Sequence, residues 1–310
     1  MLASIAVAVC AVAQTPATVS EAFVTNQNGD SLTVVSLADM KPLAEIAIGG
    51  KPAGIAMSAD RRFAYVTAPD SKELVIVDAV GRKVAGRLQV GAGPLGIAAH
   101  PRSNRVYVAD WFTHKISVVD PAVPKVVTEI PVGESPSGLA LTPDGGLLLS
   151  ADRDSDAVSI IDTATNARIG TVPVGKRPFG ITIGRNGKRA FTANVASDDV
   201  SVIDIATGKM VASVPVGHRP YAVALTDRYG YVTNQYASTV SVIDLDTLKV
   251  VKTIDVGDHP EGIEADPAGA LVYVACWFDN VLMRIDAATF AVTGEAAVGD
   301  GPRAFGLFLR

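Results

Sequence analysis

Apolar runs of strand length, rich in Val, Ile and Ala, follow one another along this chain, each closed by Gly, Pro, Asp, Asn or Ser. None carries the three-to-four spacing of an amphipathic helix, so the pattern predicts β-strands almost throughout. The stretch from Pro178 shows the unit: "FGITIG", turn "RNGK", "RAFTAN", loop "VASDD", "VSVIDI", turn "ATGK", then "MVASVPVG". Four strands in roughly 40 residues are the signature of a propeller blade.

The unit repeats along the chain. A "VGxxP" phrase recurs with its prolines at Pro52, Pro94, Pro136, Pro178, Pro220, Pro260 and Pro302, spaced 42, 42, 42, 42, 40 and 42 residues apart. The short interval falls at "LTDRYGYV", whose turn lacks two residues. The N-terminal "EAFVTN", "SLTVVS" and "LAEIAIG" match only the second, third and fourth strands of a unit, and the C-terminal "PRAFGLFLR" only a first strand. Six units plus these two fragments predict an all-β, seven-bladed propeller of four-stranded antiparallel blades. Its ring is closed by the last strand pairing into the N-terminal blade, which removes an exposed edge. Residues 14–310 are expected to form this single domain, and a closed ring with little unpaired edge predicts a monomer.

The second-strand phrases "FVTN", "YVTA", "YVAD", "FTAN", "YVTN" and "YVAC", followed by "SVVD", "SIID" and "SVID", resemble the YVTN-type β-propeller repeats of secreted, periplasmic and cell-surface proteins. The resemblance spans nearly the whole chain. It implies the fold, and a periplasmic or secreted location. More distantly, the chain is similar to seven-bladed lactonases, and YVTN-type relatives include proteins encoded beside pyrroloquinoline-quinone-dependent (PQQ) oxidation systems, which implies an accessory role as one alternative. Fold alone does not assign function.

At the N-terminus, "MLASIAVAVCAVAQTPA" is an uncharged apolar run ending in Ala11-Val12-Ala13, a small-x-small pattern that predicts a truncated signal peptide over residues 1–13. It is too short to span a membrane. Cleavage there removes Cys10 and leaves Cys276 alone, so no intramolecular disulfide is expected. With 48% hydrophobic and 19% charged residues the chain can bury a large core, and its net charge of -5 opposes a general affinity for nucleic acid.

Some repeat positions read as scaffold. Two residues after each proline stand Gly54, Gly96, Gly138, Gly180, Ala222, Gly262 and Ala304, small enough for strands converging on an axis. Asp78, Asp120, Asp162, Asp204, Asp244 and Asp286 end third strands, where carboxylates accept turn N–H bonds. His100 sits in a first-to-second-strand turn and reads as its cap.

Departures from the repeat mark candidate sites, on the face that carries both the "VGxxP" loops and the loops after the second strands. Trp111 and Trp277, the chain's two tryptophans, each stand 17 residues after a repeat proline, where other repeats have Gln27, Pro69, Arg153, Val195 and Gln235. Four blades apart, they either wall a ligand site at the channel mouth or cover neighbouring blades. Arg177, Arg219 and His259 precede repeat prolines, and Arg153 and Arg303 lie beside them, forming a rim that could receive an anion; Glu134, Asp258, Glu261 and Asp300 make a mixed-charge rim the plainer alternative.

Glu264 replaces the Ala or Thr of most other repeats and needs a partner or water, for which Arg219 or Arg303 is the expectation. A hydrolase would use Glu264, His259, Glu261 and Arg219; Cys276 with His259 is either a nucleophilic pair or, as is commoner, a buried inert thiol beside a loop histidine. The chain carries no Cys-x-x-Cys-His, Gly-x-Ser-x-Gly or phosphate-loop motif and no clustered His/Cys set, so no metal or other cofactor is expected. The reading that follows is a non-enzymatic, exported binding or scaffold propeller presenting its channel mouth to a protein or small molecule.

Overall fold

Antiparallel pairing of consecutive runs, expected from the short three- to six-residue turns between them, is what the computed structural model of the chain contains; it describes residues 19–310. The signal-peptide reading of residues 1–13 lies outside the described residues. Seven radial sheets follow in chain order, over residues 21–47, 54–89, 94–131, 136–173, 178–215, 220–255 and 260–297, here called blades one to seven. Blade five, for example, is built from Pro178–Ile183, Arg189–Asn194, Asp199–Asp204 and Lys209–Pro215.

Blade one has three strands of its own, Glu21–Asn26, Ser31–Ser36 and Lys41–Ala47. The C-terminal segment completes it: Phe23 N donates to Phe308 O at 2.9 Å, Arg303 N to Thr25 O at 2.8 Å and Arg310 N to Glu21 O at 2.8 Å. Ala22 and Leu309 bridge antiparallel, as do Asn26 and Pro302. The segment does more than the repeat predicts, because Phe305–Leu307 also pairs in parallel with Gly54–Met57 of blade two. It therefore ties the first two blades together.

Apolar side chains fill the space between blades, with Tyr107, Tyr231 and Tyr273 wholly buried there. First strands crowd the axis. A Cβ added to Gly138 or Gly180 would stand 2.5 Å from the carbonyl oxygen of Phe179 or Tyr221 on the next blade, so glycine is a packing requirement at these positions. The third-strand aspartates accept turn N–H groups as expected, Asp162 from Ala164 and Thr165 at 2.9 and 2.8 Å. His100 Nδ1 accepts from Arg102 and Ser103 N–H at 3.1 and 3.0 Å, which makes it the turn cap.

The polar end of the second-strand phrase also has a physical role. Asn234 accepts from Gly217 N at 3.1 Å and donates to Ser241 Oγ at 2.9 Å, holding the "VGxxP" loop to its own blade. The threonine before it, Thr233, donates to Glu261 O of the next blade at 2.8 Å. In blade four alanine replaces that threonine, and Ser137 restores the link by donating to Phe179 O at 2.9 Å.

Candidate functional site at the channel mouth

Both loop sets lie on one face, because the first residue of the second-to-third-strand loop donates its N–H to the "VGxxP" loop of its own blade, except in blade two, where that residue is Pro69 and Asp70 N bonds Gly50 O instead. Trp111 N bonds Gly93 O, Val195 N bonds Arg177 O, Gln235 N bonds Arg219 O and Trp277 N bonds His259 O, each at 3.0 Å. The residue before the repeat proline is in the left-handed region at Lys51, Ser135, Arg177, Arg219 and His259, with φ between 51° and 58°. This is uncommon for a residue with a side chain. It is held at Arg177 and Arg219 by Asp156 and Asp198, whose carboxylates each accept the backbone N–H at 2.8 Å.

The residues directly after the prolines are Ala53, Leu95, Ser137, Phe179, Tyr221, Glu261 and Arg303, and the sequence reading did not single them out as a set; Ala53, Leu95, Phe179 and Tyr221 join one buried apolar cluster with Phe305. The signal was present: within a phrase that is otherwise proline, x, then glycine or alanine, x runs from alanine to arginine. Phe179, Tyr221 and Phe305 pack as an aromatic plug with ring centroids 4.5, 5.0 and 5.5 Å apart.

A polar network occupies the other side of the mouth. Arg303 Nε donates to Tyr221 Oη at 2.8 Å and lies 3.3 Å from Glu261 Oε2, while its Nη1 donates to Gln27 Oε1 at 2.9 Å. Gln235 Nε2 donates to Glu261 Oε1 at 2.7 Å and accepts at Oε1 from Arg219 Nε at 2.8 Å. Burial pushes the Glu261 carboxyl upward in pKa, with Arg303 opposing. The fixed hydrogen bonds orient Arg219 and Arg303 at the mouth.

The two tryptophans take different positions around this plug. Trp111, from blade three, reaches past blade four to pack on Phe179 of blade five at 6.2 Å, with the Arg153 guanidinium 5.3 Å from its ring. Trp277 lies beside the adjoining strand, its ring 5.9 Å from Arg303. Both are partly buried. Each is followed by an outward phenylalanine: Phe112 is 67% exposed and Phe278 59%, and Tyr236 in the equivalent blade-six loop is 53% exposed. Tyr236, His259 and Phe278 contact in series, tilted and edge-on, at 5.1 and 4.4 Å, His218 extends the row edge-on at 5.6 Å, and Arg219 lies 4.6 Å from the Tyr236 ring. The sequence reading missed these three outward aromatics.

The cationic rim is only partly free. Lys176 pairs with Asp156 at 2.7 Å, His218 with Asp198 at 3.0 Å and Arg153 with Asp154 at 2.6 Å. His259 Nδ1 lies 3.2 Å from Asp258. Arg177 is exposed, and its backbone rather than its guanidinium is bound by Asp156.

Two expectations need correction. Glu264 does not meet Arg219 or Arg303: its Oε2 accepts the backbone N–H groups of Phe308 and of Leu309, the latter at 2.9 Å, so it anchors the closing strand well below the mouth. It therefore does not join His259, Glu261 and Arg219. The Cys276 thiol is buried and pushed up to about 12 by burial, while the His259 ring lies against Tyr236 and Phe278; no nucleophilic pair forms.

No family model and no curated protein matches the chain. Solved structures do match its fold. A chain of Kuenenia stuttgartiensis hydrazine synthase is 22% identical, with a TM-score of 0.77, over 84% of this chain and 90% of that one. A functionally unknown protein from Desulfotomaculum acetoxidans is 17% identical, with a TM-score of 0.78, over 92% and 99%. The dihydro-heme d1 dehydrogenase NirN, solved in complex with DHE, is 14% identical, with a TM-score of 0.68, over 94% and 75%. At these identities the similarity establishes the seven-bladed β-propeller fold.

Proposed function

We propose that this protein is an exported, non-enzymatic binding propeller of the YVTN-repeat type, periplasmic or secreted, that presents its channel-mouth face to a protein or small-molecule ligand. The observation that carries the reading is the outward row of Tyr236, His259 and Phe278 beside Arg219, joined around the mouth by Phe112 and the two tryptophans. Large aromatics in water cost free energy that the scaffold does not require, since other blades place Ala196 and Asp70 in the same loops. Aromatic and arginine side chains grouped in this way are the usual anchors of binding surfaces. An accessory role beside a PQQ-dependent oxidation system is one setting for such a surface and rests on the family resemblance alone.

Tryptophan emission tests the reading, because both indoles stand at the mouth. Titration with cell-envelope fractions, acidic small molecules and simple lactones is expected to give a saturable shift with one fraction. Tyr236→Ala and Phe278→Ala are expected to abolish that shift at unchanged Tm. Full binding in both variants would place the ligand elsewhere, and turnover of a lactone would replace binding by hydrolysis.

A further inference from the structure

Beneath the aromatic plug, the first strands enclose a blind cavity of about 360 Å³ that opens on the face opposite the tryptophans. Phe305 closes its inner end, and Pro101, Pro143, Pro267 and Arg185 stand at its opening. Its wall is mostly apolar, with Ile97, Ala140, Ile181, Val223 and Leu307 among the lining residues. Glu264 is the one acidic side chain on that wall. One of its oxygens, Oε2, is used by the Phe308 and Leu309 N–H groups; the other, Oε1, has no protein hydrogen bond among the described residues and is not sealed from solvent.

We infer that this cavity is a second ligand site, distinct from the mouth, for a compact apolar molecule carrying one basic nitrogen, whose ammonium group pairs with Glu264 Oε1 while its hydrocarbon part fills the apolar wall. The volume suits a small molecule, and a pocket with apolar lining and one polar group fixes both affinity and orientation. The sign of the ligand follows from the surrounding charges. The Arg61 charge favours the ionised carboxyl of Glu264 but forms no ion pair with it, Arg185 is at the opening with its Nη2 donating to Asp266 O, and Arg310 on the closing strand is committed to Glu21 and to Arg61 O. Tyr273, opposite Glu264 in the strand register, is an uncharged neighbour. A carboxyl so placed forms no ion pair among the described residues, and a ligand can supply one.

Proton linkage gives the binding a signature. Burial raises the Glu264 carboxyl to about 8, so at pH 7 the free site is largely protonated and an ammonium must displace that proton. Affinity is therefore expected to rise between pH 6 and pH 8, with proton release that shrinks over the same range.

Isothermal titration of the full chain with hexylamine, hexanol and hexanoate tests the inference. Hexylamine is expected to bind one per chain, at least about tenfold tighter than either isostere, with proton release at pH 7 read from buffers of different ionisation enthalpy. Glu264→Gln should remove that preference, and Leu307→Trp should block the cavity while leaving Glu264 in place. Absence of hexylamine binding, equal binding of hexanol, or unchanged affinity in either folded variant would overturn the assignment. If Glu264→Gln does not fold, the Leu307→Trp result and the proton release of the unaltered chain decide.

Discussion

Arg303 carries more of the mouth than any other side chain, touching Tyr221, Glu261, Gln27 and the Trp277 face. An ion pair taken out of water gains little over a well-packed apolar pair, but removing one partner leaves a buried charge uncompensated. Arg303→Met is therefore expected to lower unfolding free energy by about 3 kcal/mol in urea titration, and Glu261→Gln added to it to recover a large part of that loss. A loss below about 1 kcal/mol would mean that Glu261 finds water or another donor. Arg303 and Glu261 were legible as mouth residues from their place beside the repeat proline. Their pairing was not, because a repeat register gives the blade and the height of a residue but not the rotamer that decides whether it turns to the mouth or to the next strand. The same gap explains Glu264, whose carboxylate turns to the N–H groups of the closing strand, contacts that no spacing in the sequence encodes.

Each blade is specified by turn chemistry and by the polar ends of its second strand, and this is why the strands were readable from the sequence. Turns with Asp at their start and Gly or Thr after it cap themselves, so strand ends follow from composition. The second-strand asparagine adds a link that sequence alone left unexplained. Asn234→Ala removes bonds to Gly217, Thr239 and Ser241 from a buried position, and is expected to cost about 1–3 kcal/mol in the same urea titration. A change within about 0.5 kcal/mol would show that water replaces the side chain. Blade seven is the natural contrast: Cys276 stands in the asparagine position, and Gly257 N is instead 3.3 Å from Met283 Sδ, a weaker acceptor.

At the scale of the whole molecule, closure by the C-terminal segment fixes the seven first strands around one axis, and with them the plug that separates the mouth from the lower cavity. Deleting residues 302–310 would remove the first, inner strand of blade one, the partner of Gly54–Met57 and both Phe305 and Arg303. Species larger than those of the full chain are expected in size-exclusion chromatography, since the inner edge of blade one is then open to pairing with another chain. A truncated chain with the elution volume and Tm of the full chain would contradict closure by this segment. Closure was readable because the two terminal fragments complement one unit. The binding face was only half readable, since Trp111 and Trp277 stood out by rarity whereas Phe112, Tyr236 and Phe278 differ from their repeat counterparts without any motif. The most direct measurement is a hydrogen-exchange footprint with the envelope fraction that shifts tryptophan emission. Protection confined to residues 111–114, 235–238 and 277–280 and the adjoining "VGxxP" loops is the predicted result; protection on the opposite turns or the outer strands, with these loops unchanged, would contradict the account.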